Sequence, residues 1–577
     1  MTIWYLSAPH RLAEEHEALV ALASRVSWLD LGALRPDDGG RLCINFEITA
    51  AGRTFAARLR YPHTFPSSPP SVLPAEPESW SGHQYGSGGE LCLEWGADNW
   101  TPDLTGAHMV ESTERLLSGE ATIEGDRPGR VPSRHDMTLG QGLRFKSFRM
   151  VVTETFAEHM ESLAPGSTLN AKLLWTDNDK QHTLAPVHLI PDDGEEWTDP
   201  AAPRALWANN TLYATKVWRL PDGVVAPRST TASDLRDFMA THGYHAPSDD
   251  GEPKMDLLLT WDDAGAHLRM FSKDADETYD ITVVAAKSAG RLPRAYRDLA
   301  GKSVGVVGCG SAGSKIAVTL ARAGVGRLVL VDDDILLPEN LVRNDLDWTV
   351  MGEHKVRGVA RRADLAAPGI QVDIHIKRLA AQEASGVADG VLHSLQQCDL
   401  IIDATAEPAV FNLLSGVVSV AHKPLVWLEV FAGGIGGLVA RFRPDLDPSP
   451  QTARAMIEAW CAQTGAKPPR ADRPYESNGE AEPLIADDAD VAVIAAHAAR
   501  MALDLLTETS PSAFPNSAYL IGLREAWVFT QPFHTQVIDL GGPEAPAPPP
   551  SAESSAAGAA LLCRMIKDLQ DEAADPS

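Results

Sequence analysis

Val304-Gly305-Val306-Val307-Gly308-Cys309-Gly310-Ser311-Ala312-Gly313 is the stretch that decides the fold. Val304, Val306 and Val307 make a short apolar run, as a parallel strand buried on both faces requires. A glycine-rich turn follows, and Ser314 to Ala323 continues as a helix. Leu328 to Val331 reads as the next strand and ends at Asp332, 24 residues beyond Gly308. Leu400 to Ile402 and Leu425 to Leu428 are later strands of the same kind. This alternation predicts a doubly wound, Rossmann-like sheet. In that context Gly308, Gly310 and Gly313 let the backbone approach phosphates at a helix N-terminus, and Asp332 is the acid expected on a ribose hydroxyl. The pattern predicts nucleotide binding but does not separate NAD from ATP.

The residues after the acid make that separation. Asp332-Asp333-Asp334, Asn340, Arg343, Asn344 and Lys355 put three carboxylates, two amides and two cations within one strand-to-helix connection. Hydride transfer has no use for that set. Adenylation does, because a triphosphate with Mg2+ must be held and charge on the α-phosphate neutralised as a carboxylate attacks. The plainer reading of the same residues is a solvated charged loop. Together with Ala323-Gly324-Val325-Gly326 and Asn340-Leu341-Val342-Arg343, the stretch from Gly308 to Lys355 resembles the adenylation domain of the ubiquitin-activating, MoeB and ThiF family. The resemblance implies that Asp332 binds the ribose, that Asp334 and Asn340 line the nucleotide pocket, and that Arg343 and Lys355 contact phosphates. After Asp403-Ala404-Thr405 the family usually has an Asp-Asn pair whose Asp helps hold magnesium, whereas this chain has Ala406-Glu407. Either Asp403 or Glu407 replaces that ligand, with Asp403 the metal candidate, or metal handling differs.

Far upstream, Cys92 lies in Gly88-Gly89-Glu90-Leu91-Cys92-Leu93-Glu94, followed by Trp100-Thr101-Pro102. A lone cysteine is usually a buried apolar residue. Beside a glycine-rich loop and between glutamates it is expected near the surface, where a thiol is free to react. Tyr61-Pro62, Pro69-Pro70, the Gly-x-Leu-Cys-Leu segment and a Trp eight residues past the Cys together resemble the ubiquitin-conjugating enzyme fold over most of residues 10 to 120. That resemblance implies Cys92 as the thioester nucleophile. Where conjugating enzymes carry His-Pro-Asn, this chain has His83-Gln84-Tyr85, so Gln84 is the amide available and His83 reads as a loop residue. Glu124 and Asp126 stand where the family places an acid that orients the incoming lysine. Activating enzymes usually also load a cysteine of their own. The expected neighbourhood, Pro474-Tyr475-Glu476-Ser477, has Ser477 and no Cys, leaving Cys461 in the helix Ala453 to Ala462 as the substitute or direct transfer to Cys92.

Composition sets the remaining limits. The chain has 577 residues, 50 Lys and Arg against 78 Asp and Glu, and a formal charge of -28, which disfavours nucleic acid as a partner. The longest apolar run, Leu425 to Ala440, is broken by Glu429 and four glycines, so no membrane span is expected. Without a signal-like start the default expectation is a cytoplasmic protein. None of the six cysteines forms a Cys-x-x-Cys pair, so no structural zinc site of the usual spacing is expected. Cys43, on the face opposite the apolar set of its strand, Cys309, Cys398 and Cys563 carry no motif. The helix expected from Leu12 to Ser27 sets Leu12, His16, Leu19, Leu22 and Val26 on one face.

The expected organisation is therefore a multidomain α/β chain. Residues 1–135 form an α+β ubiquitin-conjugating-like domain, and 140–295 a central mixed α/β connector without chemical motifs. Residues 296–540 form the Rossmann-like, ThiF-type adenylation domain, and 541–577 a linker ending in a short amphipathic helix expected to dock on its own chain. That order resembles fused activating and conjugating proteins of bacterial antiviral operons, notably the CBASS type, and of bacterial ubiquitin-like systems. The resemblance implies ATP and Mg2+, a homodimer, and a protein partner with an activatable C-terminus, either a cGAS-like nucleotidyltransferase or a ubiquitin-like protein, joined to target lysines. A non-catalytic scaffold on the adenylation fold remains as an alternative, and a nicotinamide oxidoreductase as a lesser one.

Overall fold

The computed structural model describes the whole chain except residues 1–2, 82, 87, 121–122, 125–126, 129–139, 141–142, 192–193, 209, 228–230, 244–254, 273–275, 286–291, 381–384, 465–485, 546–550 and 575–577. It divides into two compact units, Met1–Phe145 and Lys146–Ser577.

In the first unit, strands Leu29–Pro36, Leu42–Ala50, Arg53–Arg60 and Ser71–Pro74 form an antiparallel meander, each paired with the next. Leu42, Ile44, Phe46 and Ile48 are buried against helices Pro9–Arg25 and Gly106–Glu120, while Asn45, Glu47 and Thr49 face outward. Cys43 lies off the core face, as its place in the strand predicts, and is buried there beside the long side chains of its cross-strand neighbours Arg35 and Arg60. One expectation needs correcting. The first helix buries Arg11, Glu15, Leu19 and Leu22, leaving His16 exposed. Glu15 is tolerated there because Tyr61 Oη and Gly106 N donate to its Oε2 at 2.8 and 2.6 Å, and Arg11 stands 2.8 Å from Oε1.

The second unit begins with the connector, and its sheet is closed. Strands run in the order Thr168–Asn178, Leu212–Arg219, Met255–Asp262, Gly265–Ser272, Thr278–Ala285, Phe148–Val152, Gln181–Ile190, and the last pairs back onto the first. Trp197–Thr198 adds a short edge. Inward residues such as Leu169, Ala171 and Leu173 pack with Phe156 and Met160 of helix Glu154–Ser162, so the interior is filled. The mixed α/β expectation holds, and the sheet is a barrel.

After it comes a sheet in the order Gln371–His375, Arg327–Val331, Ser303–Val307, Leu400–Asp403, Leu425–Val430, all parallel, continued by antiparallel Gly436–Phe442, Ala518–Gly522 and Thr535–Ile538. The first five strands thus have the doubly wound order, third-second-first-fourth-fifth. The order reverses between Ser303–Val307 and Leu400–Asp403, and ligands bind beyond the carboxyl ends of strands at such a reversal. Arg441, fully buried in the antiparallel part, is held by Asp504, Ser512 and the Phe514 carbonyl.

The tail differs from expectation. Its helix runs Ala552–Ala574, so it starts inside the stretch read as linker. Leu561, Leu562, Met565, Ile566 and Leu569 are exposed rather than docked. The helix owes its length to an Ala-rich first half of high intrinsic propensity. Among the described residues no helix is long and apolar enough to cross a membrane.

Candidate active site

The site grows out of the glycine turn. Gly308 has φ +88°, a left-handed conformation that glycine adopts without strain. Gly313 sits so close beneath it that a Cβ would lie 1.8 Å from the Gly308 carbonyl oxygen. Gly310 has open space in front of it and begins the N-terminus of helix Ser311–Arg322, whose first amides are unpaired within the helix. Each of the three glycines thus has its own reason.

Asp332, at the end of the neighbouring strand, fixes the turn from the side. Cys309 N donates to its Oδ2 at 2.6 Å and Asp334 N to its Oδ1 at 2.8 Å. Burial lifts its carboxyl above the ordinary range despite those bonds. Lys355, the first residue of helix Lys355–Ala366, donates from Nζ to Asp334 Oδ2 at 2.8 Å. Asn340 Oδ1 accepts from Leu337 N at 3.0 Å, closing the short turn Pro338–Val342. That turn delivers Arg343, whose carbonyl accepts from Lys315 Nζ at 3.2 Å. Asn344 is buried and donates to the Cys309 carbonyl at 3.4 Å.

These residues enclose a pocket of about 270 Å3 lined by Gly310, Ser311, Asp334, Asn340, Arg343 and Lys355 on one side and Ala404 to Ala406 on the other. Of the residues named from sequence for the nucleotide, Gly310, Asp334, Asn340, Arg343 and Lys355 line the pocket, and Gly308, Gly313 and Asp332 form the turn and its brace beside it. Ala404, Thr405 and Ala406 were marked in the sequence by the family motif from which Ala406 departs, and the structure sets them opposite the glycine turn at the sheet reversal. Ala406 replaces the family's acid with a left-handed residue, φ +56°. Asp403 is buried, accepts Thr405 N and Oγ1 on its Oδ1 at 3.0 and 2.6 Å, and is pushed upward in pKa by burial.

Asp403 and Glu407 also border a second cavity of about 700 Å3, between the strand Leu425–Val430 and helices Pro408–Ala421 and Pro450–Gln463. Cys461 lines that cavity, nearly inaccessible, its thiol raised by burial and then by Glu429 and Glu458. Thiolate formation is disfavoured there. Cys309 and Cys398 are buried, Cys398 with a thiol raised to about 11, and Cys563 is exposed on the tail helix. Ser477 and its neighbours lie outside the described residues.

In the first unit, Cys92 follows a small hairpin, Gln84–Tyr85 with Glu90–Leu91. It is half-buried, its amide donates to the His83 carbonyl at 2.7 Å, and burial raises its thiol. Gln84 is a brace of the loop. Its Oε1 accepts from Trp80 N and Ser81 N, and its Nε2 donates to the carbonyls of Glu78 and Gly89. His83 Nε2 reaches Glu120 at 3.5 Å. Trp100 is buried and donates to the Pro66 carbonyl at 2.8 Å, so the Trp after the Cys anchors the loop. The side chain of Glu124, and Asp126 entirely, lie outside the described residues.

Residues 286–523 match the model of the ThiF family. The uncharacterized protein y4qC of Sinorhizobium fredii is 26% identical, with 74% of this chain and 79% of that protein covered, so the likeness reaches beyond the ThiF domain. The ATP-dependent ubiquitin transferase-like protein Cap2 of Pseudomonas aeruginosa is 33% identical over 23% of each chain. Among solved structures, E. coli MccB with ATP is 18% identical with a TM-score of 0.32, covering 42% of this chain and 66% of that one. The chain therefore spans about a quarter of Cap2 and just under two thirds of MccB.

Proposed function

We propose that this protein activates the C-terminal carboxylate of a protein partner with ATP, captures it on Cys92 as a thioester and joins it to a lysine. One observation carries the reading: Asp334, Asn340, Arg343 and Lys355 converge on a glycine turn at the sheet reversal, in a chain that also bears a cysteine on a braced hairpin. The ThiF family match and the likeness to Cap2 support it.

In the first step the partner's carboxylate attacks the α-phosphorus of ATP, forming an acyl-adenylate and releasing pyrophosphate. The helix N-terminus at Ser311 receives phosphate oxygens, Lys355 and Arg343 offset the charge that builds there, and Asp332 takes the ribose. Mg2+ requires oxygen ligands, and the clustered Asp332, Asp333 and Asp334 carboxylates and Asp403, next in sequence to the pocket-lining Ala404, could offer them. Asp403 would hold it, and the ion would neutralise phosphate charge as a Lewis acid. In the second step the Cys92 thiolate attacks the acyl carbonyl and AMP leaves. Cys461 is the poorer acceptor because it is nearly inaccessible where Cys92 is only half-buried, so direct transfer to Cys92 is favoured. In the third step a lysine amine attacks the thioester, giving an amide, with the thiolate as leaving group and a proton lost to solvent. The domain order favours a cGAS-like nucleotidyltransferase or a ubiquitin-like protein as partner, in antiviral or ubiquitin-like conjugation, with the enzyme acting as a homodimer in the cytoplasm.

The deciding experiment is ATP–pyrophosphate exchange with a candidate partner. Partner-dependent exchange is expected, and its absence removes the ligase. Cys92→Ala is expected to keep exchange while losing a thiol-reducible partner adduct; persistence of that adduct moves the nucleophile elsewhere.

A further inference from the structure

The hairpin beside Cys92 carries a hydroxyl that the proposed transfer has not used. Gln84 pairs with Leu91 and Tyr85 with Glu90, and the ladder runs on to the bond from Cys92 N to the His83 carbonyl. Side chains alternate across such a pair, so Gln84 and Leu91 take one face and His83, Tyr85, Glu90 and Cys92 the other. The first face is structural: Leu91 is buried, and Gln84 ties the loop with both ends of its amide. On the second face Tyr85 is the diagonal neighbour of Cys92, a separation of ~7–8 Å that an aromatic side chain spans. Tyr85 is half-exposed, and its hydroxyl is raised in pKa by burial, then by Glu90 and Cys92, which sets it within electrostatic reach of the thiol. Its neighbours on that face are committed elsewhere. His83 faces Glu120 at 3.5 Å, and Glu90 is held by Arg60.

Amide formation from a thioester passes through a tetrahedral adduct. The amine nitrogen bonds to the acyl carbon and the carbonyl π electrons move onto oxygen. The adduct collapses when the C–S bond breaks, releasing the Cys92 thiolate, and the amine's surplus proton goes to solvent. A hydrogen-bond donor beside the acyl oxygen lowers both barriers by meeting the charge where it develops. That donor must hold its proton at the mildly alkaline pH where lysine amines attack, and a phenol that titrates above its ordinary 10.0 does so. Gln84 cannot serve without giving up the loop, because its Nε2 already donates to the carbonyls of Glu78 and Gly89. We propose that Tyr85 is a catalytic residue of the transfer step, its hydroxyl donating a hydrogen bond to the acyl oxygen of the Cys92 thioester as the amine adds. The phenol keeps its proton throughout. The proposal rests on Cys92 as the thioester cysteine.

Aminolysis of a chemically loaded thioester tests it without the natural acyl donor. The full-length protein carrying Cys563→Ser, which removes the exposed tail thiol, is loaded at Cys92 from the N-acetylglycyl thioester of mercaptoethanesulfonate. Mass spectrometry then follows discharge to free lysine in a single turnover. Tyr85→Phe keeps the ring and removes only the hydroxyl. Its discharge is expected to be about tenfold slower, less than the ~100–1,000-fold cost of losing an enclosed donor because this one is half-exposed. Alkylation of Cys92 by iodoacetamide forms no oxyanion, and its rate is expected to be unchanged in the same variant, as is the melting temperature. Equal discharge from the two proteins overturns the proposal. A slowing of alkylation as large as that of discharge also overturns it, since the hydroxyl then only holds the loop. If Cys92→Ala loads as well as the parent protein, the Cys92 reading falls and the proposal with it, whereas loading at Cys92 with no effect of Tyr85→Phe leaves that reading standing.

Discussion

Lys355 concentrates the chemistry of the nucleotide pocket into one side chain. It is nearly buried, and its contact with Asp334 holds the ammonium at the pocket wall rather than in solvent. Lys355→Ala removes that positive charge and leaves Asp334 uncompensated beside the phosphates. Exchange is expected to fall about 100-fold, the cost of losing one preorganised group on a developing charge, and a radiolabelled pyrophosphate assay reads it. Cys92 obeys a different constraint. Burial raises its thiol above the usual 9.0, and only the thiolate attacks. Thioester formation measured in a single turnover should therefore increase with pH through neutrality and still be increasing at about pH 9; a plateau near neutral pH would show that another group lowers the thiol. Lys355, Arg343 and the glycines were legible because one strand-to-helix connection carries them all at fixed spacing. Ala404 to Ala406 were legible as a departure from the family motif, whereas Arg454 was not, since a helix arginine acquires meaning only once distant segments meet. Gln84 was legible as an amide near the thiol but not as a brace, because its four backbone partners come from the fold of the loop itself.

Among the elements, the first helix shows how a polar residue can set packing. Periodicity predicted the helix and its apolar positions Leu19 and Leu22, but its buried face is completed by Arg11 and Glu15 rather than His16. Sequence period cannot reveal that Tyr61 and Gly106, 46 and 91 residues away, would supply the donors for Glu15. The connector's barrel was illegible for a related reason. Alternating strands read the same in an open and a closed sheet, and only the pairing of Thr168–Asn178 with both Gln181–Ile190 and Leu212–Arg219 closes it. The parallel sheet was legible in kind because most of its buried strands are short apolar runs between helices, while the edge strand Gln371–His375, polar and half-exposed, was not. Glu15 also yields a stability prediction. Burial raises its carboxyl above 4.5, against the opposing effects of Gly106, Tyr61 and Arg11. A raised acid contributes most to folding below its unfolded value, and that contribution is lost as pH rises through the folded value. Melting temperatures of wild type and Glu15→Gln compared across pH should therefore show wild type losing relative stability as pH rises above about 4.5. Glu15→Ala, which strands Arg11 and the Tyr61 hydroxyl, should cost the first unit about 3–5 kcal/mol.

At the scale of the molecule, a charge of -28 opposes self-association, yet one exposed surface favours it. Ile335, Leu337, Val342 and Trp348 are 44, 47, 65 and 69% exposed, all within the connection that also supplies Asn340 and Arg343 to the nucleotide pocket. Scattered apolar exposure is ordinary, but four large exposed side chains in one short connection are where the proposed homodimer would make its contact. A closed pair of identical chains would use the same patch twice, which a two-fold interface requires. Because like net charge is what such a pair must overcome, raising ionic strength should tighten it, the reverse of an interface held by ion pairs. Sedimentation of the wild type at about 50 and 300 mM salt should show the dimer strengthened at the higher concentration, where the Debye length is shorter. Trp348→Glu places a charge at the most exposed apolar position and should yield monomers. If the pair also steadies the turn that carries Asn340 and Arg343, those monomers should lose exchange with their thermal stability unchanged. A wild type that sediments as a monomer at both salt concentrations would sink the dimer, and the four apolar side chains would then need another partner.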